Sequence, residues 1–389
     1  MSSAPLIVGA AGSARRESPW TRLKRSDLGV LPLIIACPFM YFPKLLEGDT
    51  QPWLIVAALY AFLTYRTQRF MQRGDFMLLL LAPLCVIVYA LRSGFGPDLL
   101  RATYIQVTFV VLWVVCRRDD GDLLPAAVRL TVVVWLAVGL YQYVFVALGL
   151  PVEFAGRYVE GRSGVPSLTS EASTYGSLSV LQMMYLLSQK NPRNTPYVAA
   201  SALSVALSGS LLAFALLLFP LMKLRLRWRV CVVLAFALLV FVDYLLTEAG
   251  ITSRVMELIS PTSGLAAAVL DPSLNLRLGH IYFTLYENLV PSLMFSYSVD
   301  FMAQYNTFAR DSGIFIDTGN NFILTGVGDL IYGSGFLGAL LLFAVIRRAQ
   351  AQSSTRAHKF EKMLFIIACM LNPIYLSNIF LVLYAQRRN

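Results

Sequence analysis

The chain has 389 residues, of which 57% are hydrophobic and only 14% charged. That balance is outside the range of a water-soluble domain of this size and places the chain in a membrane. Its 32 Lys and Arg against 22 Asp and Glu read as the basic cytoplasmic loops of a membrane protein, not as a nucleic-acid footprint. The five cysteines lie in apolar runs without Cys-x-x-Cys spacing, and the only histidines are His280 and His358. Neither a disulfide framework, a metal centre nor a cofactor is predicted.

Residues 1–27 read as a cytoplasmic tail. The short apolar stretch at 5–12 precedes Arg15, Arg16, Arg22, Lys24 and Arg25, the reverse of the charge order of a cleaved signal peptide. Residues 28–389 form one polytopic domain with apolar runs at 28–42, 52–65, 76–91, 98–116, 123–148, 170–188, 197–222, 230–246, 328–346 and 363–385. Several are shorter than the ~20 residues that a span needs. Basic residues mark the cytoplasmic connections: Arg66, Arg69 and Arg73; Arg117 and Arg118; Lys190 and Arg193; Lys223 to Arg229; Arg347 to Lys362.

Alternation accounts for the first six runs and fails at the seventh. Lys190 and Lys223 flank 197–222 on one side, so that run enters and returns, with Ser208-Gly209-Ser210 as its break. The last run lies between Lys362 and Arg387 and breaks at Asn372-Pro373, where proline removes a backbone donor. The fold class expected is therefore an all-α polytopic membrane protein. It has about 10–12 transmembrane segments, two broken or re-entrant runs, cytoplasmic termini and a large external loop containing helices.

Two external loops follow, at about 150–169 and about 248–327. In the longer one, Asp271 is an N-cap and Pro272 the first residue of a helix. Arg277, His280, Thr284 and Glu287 then share one polar face. That face is either solvated on a membrane-surface helix or turned into a cleft. The shorter loop leads to Ser170 as N-cap and Glu171 in the first helical turn, where the helix dipole favours an anion. Glu171 is thus either a helix-end charge or an acid positioned for chemistry at the outer membrane edge. The spacing of Ala172 with Gly176, and of Ser173 with Ser177, suits close helix packing. Arg101, Arg129 and Asp243 fall inside spans and need partners or a route to water. Asn320-Asn321 is followed by Gly333-Ser334-Gly335-Phe336-Leu337-Gly338, read as the start of an apolar exit helix.

Taken in order, several features resemble the bacterial O-antigen and exopolysaccharide polymerases of the Wzy type, relatives of the O-antigen ligases. They are the Gly-x-Pro-Ser-x-x-Ser-Glu-Ala segment, the break at Ser208-Gly209-Ser210, the large late external loop, and Asn321 before Gly335-Phe-Leu-Gly338. The resemblance covers about 157–346. Ligases of this superfamily carry a His-Asn pair where this chain has Asn320-Asn321, a departure that favours polymerase over ligase. The resemblance implies a glycosyltransferase on the periplasmic face of the bacterial inner membrane, needing no metal or cofactor. Its donor and acceptor would be undecaprenyl-diphosphate-linked oligosaccharides, membrane lipid would surround it, and a chain-length regulator protein is a candidate partner.

On that footing Arg157, Arg162 and Arg277 suit the diphosphate, because a guanidinium matches phosphate bidentately and stays charged. The base for the acceptor hydroxyl is Glu171 or His280. Tyr282, Tyr286, Tyr297 and Tyr305 offer faces for sugar rings or form an interfacial belt, and Asn320 and Asn321 are candidate substrate contacts. A transporter or flippase is the reading from another class, since broken helices with polar residues are also its signature.

Overall fold

The computed structural model describes residues 73–93, 97–116, 123–151, 164–169, 171–224, 272–285, 301–316, 325–372 and 379–386, with isolated positions at 55, 56, 59, 60 and 237. The expected runs at 28–42 and 230–246, most of 52–65, and the cytoplasmic tail lie outside the described residues. Those described form eleven α-helices and no strand: α1 (Arg73–Ser93), α2 (Pro97–Val115), α3 (Leu123–Ala147), α4 (Ala172–Ser188), α5 (Thr195–Ser208), α6 (Leu211–Lys223), α7 (Pro272–Phe283), α8 (Phe301–Ser312), α9 (Gly326–Ala351), α10 (Arg356–Cys369) and α11 (Ile379–Gln386). Among them, Pro125–Ala147 within α3 and the whole of α9 are long and apolar enough to cross a membrane. At ~1.5 Å per residue both exceed a hydrocarbon core of ~30 Å.

α4 is the buried centre. From Thr174 to Leu186 every side chain is buried, and α3, α5, α6 and α11 pack around it. A helix surrounded in this way needs small residues where its neighbours come closest. A Cβ on Gly176 would collide with Ser208 Oγ and Ala213 Cβ, so the glycine admits both α5 and α6. α9 forms the second axis, against α1, α10 and α11.

Run 197–222 breaks within the expected Ser208-Gly209-Ser210. Gly209 is left-handed (φ 57°, ψ 20°) and closes α5, a conformation that glycine adopts without steric cost. Ser210 then caps α6, its Oγ accepting from Ala213 N. Run 363–385 divides into α10 and α11. α9 differs from expectation. It starts at Gly326, with Thr325 as its cap, and Gly335 (φ 57°, ψ −134°) kinks it internally. The Gly333–Gly338 cluster is thus a bend within a helix, and it is not a helix start.

Charges inside the bundle have partners. Asp75 is 1% exposed and its Oδ1 accepts from Arg348 Nε at 2.9 Å and Trp113 Nε1 at 3.2 Å, tying α1, α9 and α2 together. Arg129 donates from Nε to Asn194 Oδ1 at 2.9 Å and lies over the Tyr197 ring. Lys223 pairs with Glu361 at 2.8 Å. Buried Lys362 donates to Ala349 O and Ala385 O at 3.4 and 3.5 Å, placing a cation on the last carbonyls of α9 and α11, where the helix dipole favours it. Arg101 and Asp243 have no described side chain.

Removing one partner of a buried ion pair costs ~3–5 kcal/mol, because the other charge is stranded. Asp75→Ala is expected to destabilise the detergent-solubilised protein on that scale. Asp75→Leu combined with Arg348→Met is expected to be milder than either single change. Thermal unfolding of Asp75→Ala, Asp75→Leu, Arg348→Met and the double variant measures both.

Candidate functional site

The two chain breaks meet at the first turns of α4. On one side, Val165 N donates to Leu207 O at 3.1 Å, and a Cβ on Gly164 would meet Ser208 O, so segment 164–169 lies along the end of α5. On the other, Asn372, in the turn after α10, donates from Nδ2 to Ser177 Oγ at 2.8 Å. The Asn372 carbonyl accepts from Gly326 N, and that of Met370 from Val327 N, both at 3.2 Å. The N-termini of α4, α6 and α9 thus converge with the C-terminal ends of α5 and α10. The half-positive N-termini meet the half-negative C-terminal ends of α5 and α10 there, and the first amides of α9 are already bonded to the Asn372 and Met370 carbonyls.

Segment 164–169 presents Glu171 to this junction. Ser167 has φ 52°, unusual for a non-glycine residue, and is held from two directions. Its Oγ donates to Trp135 O at 2.7 Å, and its carbonyl accepts from Gln142 Nε2 at 2.8 Å. Thr169 Oγ1 reaches both Pro166 O and Glu171 O at 2.7 Å. Glu171 itself is the extended N-cap residue of α4, its side chain making no capping bond. Its Oε2 instead accepts from Ser173 Oγ at 3.1 Å. The cap expected at Ser170 is therefore one residue late, and a side-chain cap does not account for the glutamate. Ser170 lies outside the described residues.

Arg277 and His280 sit together on α7, 7% and 0% exposed. With buried Thr284 they form the polar row read from the sequence, but the row is turned inward and not solvated. α7 is locked by Asn275, whose Nδ2 donates to Ile314 O at 3.0 Å and whose Oδ1 accepts from Ile316 N at 2.9 Å. Gly279 lies against Tyr305 and Phe315. His280 meets Tyr305 edge-on at 4.4 Å, and burial lowers its pKa to about 4. It is a neutral ring at neutral pH and a weak proton acceptor.

Tyr282 lies in a three-ring cluster with Phe308 and Phe315, the centroids 5.6–5.8 Å apart. Tyr305 is fully buried and its hydroxyl donates to Ile316 O at 3.3 Å, so it supports the helix pair and offers no face to a sugar. Tyr332 of α9 packs against this cluster. Three contacts thereby link the two halves: α7 to Tyr332, Gly326 of α9 to Asn372, and Asn372 to Ser177, six residues along α4 from Glu171. Arg157, Arg162, Tyr286, Tyr297, Glu287, Asn320 and Asn321 lie outside the described residues. Asn275 escaped the sequence reading, since a lone Asn in an apolar run carries no spacing signal, while Ser177 was read as a packing position and Ser167 as part of the Gly-x-Pro-Ser segment, both without their hydrogen-bond partners. Asn372 was read as a break without its partner.

No protein-family model matches the chain, and neither a curated protein nor a solved structure is significantly similar to it. What the fold and the site define is a class: an all-α protein with helices able to cross a membrane and a polar junction of broken helices.

Because the folded pKa of His280 lies below its ordinary value of 6.5, the unfolded state binds its proton first as pH falls. Stability from the neutral ring is present above pH ~6.5 and is lost progressively toward pH ~4, about 3 kcal/mol across the whole window. Hydrogen exchange of the α7 amides is expected to accelerate over that range, and His280→Phe to remove this component of the pH dependence.

Proposed function

We propose that the chain is an inner-membrane glycosyltransferase that polymerises undecaprenyl-diphosphate-linked oligosaccharide units into O-antigen or exopolysaccharide on the periplasmic face. The observation that carries this reading is Glu171 at a polar junction of broken helices, its carboxylate making no capping bond, on a protein with helices long and apolar enough to cross a membrane. A diphosphate leaving group needs positive potential, and an acceptor hydroxyl needs a base next to it.

Topology supports the same reading. α6, α9 and α10 each have one end in the junction and the other in the set of charges formed by Lys223, Glu361, Lys362 and Arg348. The basic residues at 347–362 and 223–229 place that second end in the cytoplasm, which puts Glu171 outside. About 10–12 spans with both termini inside complete the arrangement.

In the reaction, an acceptor sugar hydroxyl oxygen attacks the anomeric carbon of the donor's first sugar. The bond from that carbon to the phosphate oxygen breaks, and undecaprenyl diphosphate leaves with the electron pair. The hydroxyl proton passes to Glu171. Arg277 carries the negative charge that grows on the diphosphate. Arg157, Arg162, Asn320 and Asn321 are further candidates for holding lipid-linked substrate.

Polymer formation from purified lipid-linked units tests the proposal. Glu171→Gln preserves size and hydrogen bonding but cannot take the proton, so a loss of ~100-fold or more is expected with unchanged protein level. Arg277→Lys keeps charge without the planar fork, and a loss of roughly 10-fold or more is expected. The reaction is expected to resist chelators. Near-normal polymer from Glu171→Gln would return that residue to a helix-end role. In a deletion strain, a single-unit surface product is the expected outcome, whereas cytoplasmic accumulation of lipid-linked units would mean a flippase and a lipid-linked polymer a ligase.

A further inference from the structure

α7 and α8 pack together through Leu276, Phe283, Tyr305 and Ala309, yet they turn opposite surfaces outward. On α7 and the turn that continues it, the exposed side chains are Leu278, Tyr282 and Leu285, at 44, 48 and 39%, and neighbouring Ile314 is 65% exposed. Positions 278, 282 and 285 form one helical row. Among the described side chains of the same helix and turn, the polar residues Asn275, Arg277, His280 and Thr284 are buried. On α8 the exposed residues include Gln304, Thr307, Arg310 and Asp311.

α8 therefore has the polarity of a helix facing water, and α7 has the inverse. Apolar side chains turned outward with polar ones turned in suit a hydrocarbon surrounding. α7 also abuts a helix able to cross a membrane, at Tyr332 of α9, and Phe336, beyond the Gly335 kink of that helix, is 44% exposed.

From this pattern we infer that α7 lies in the hydrocarbon edge of the bilayer, with Leu278, Tyr282, Leu285 and Ile314 against lipid acyl chains, while α8 faces water. The lipid–water boundary runs between two packed helices. The late external loop is thus partly membrane-embedded, and Arg277 and His280 lie behind an apolar wall where a lipid-borne anion would arrive sideways from the bilayer. This inference rests on the membrane placement proposed above, not on the polymerase chemistry.

Single cysteines carrying an environment-sensitive fluorophore, placed at 278, 285, 304 and 307 of the full chain in phosphatidylglycerol–phosphatidylethanolamine vesicles, test it. Acyl-chain nitroxide lipids are expected to quench labels at 278 and 285 at least twofold more than those at 304 and 307, with iodide showing the opposite order. Val144 and Leu218, exposed on α3 and α6, serve as controls. If these also escape the lipid quencher, the membrane placement itself fails. If they are quenched while 278 and 285 respond to iodide or to neither reagent, only the embedding of α7 is overturned. Replacement of the native cysteines can disturb folding, so a photo-crosslinking phenylalanine at 278 or 285 in the otherwise native chain provides a second measurement. Lipid adducts support the embedding, and cross-links to a second polypeptide overturn it.

Discussion

A helix broken in an apolar surrounding releases backbone amides and carbonyls that water does not satisfy, and each must find a partner within the protein. The bundle is arranged around that constraint. At the first break, Gly209 N reaches Ala206 O, Ser210 N reaches Ser208 Oγ, and Leu207 O accepts from Val165. At the second, the carbonyls of Met370 and Asn372 accept from the first amides of α9. Satisfying one break with the start of another helix brings helix ends together, and α4 is where they fit, because Gly176 has no side chain and Ser177 supplies a hydroxyl. The polar junction beside Glu171 follows from solving a backbone problem.

The opposite ends of the same helices obey a second constraint. Charges there are paired in place: Asp75 with Arg348, Glu361 with Lys223, and Lys362 with two helix C-terminal carbonyls. A buried ion pair is weak evidence for net stability, but it fixes register, since sliding α1 against α9 would strand both charges. One end of the bundle is thus pinned by ion pairs and the other by backbone hydrogen bonds at chain breaks.

Much of this was legible in the sequence, for physical reasons that differ between residues. Apolar composition dictated helices, and Lys190 with Lys223 on one side of a single run required a break, which glycine between two serines located. The row Arg277, His280 and Thr284 was legible from spacing, but its direction was not, because spacing says which residues share a face and not which way that face turns. Only packing with α8 and the Asn275 clamp settles it. The α9 kink was misplaced as a helix start, since glycine is equally at home in a kink and at an end. Ser170 was read as the cap of α4, but Glu171 takes that position, since Thr169 and Ser167 hold the chain extended one residue later than the cap rules suggest.

The central claim is that the junction of broken helices and the set of ion pairs stand on opposite sides of the membrane, the junction outside. Labelling of intact cells with a membrane-impermeant maleimide measures this directly, using one cysteine at Glu171 and one at Lys359, the latter an exposed position near the start of α10. The expected result is labelling of the 171 variant in intact cells and of the 359 variant only after permeabilisation. Labelling of the 359 variant in intact cells with protection of the 171 variant, or equal behaviour of the two, would contradict the claim.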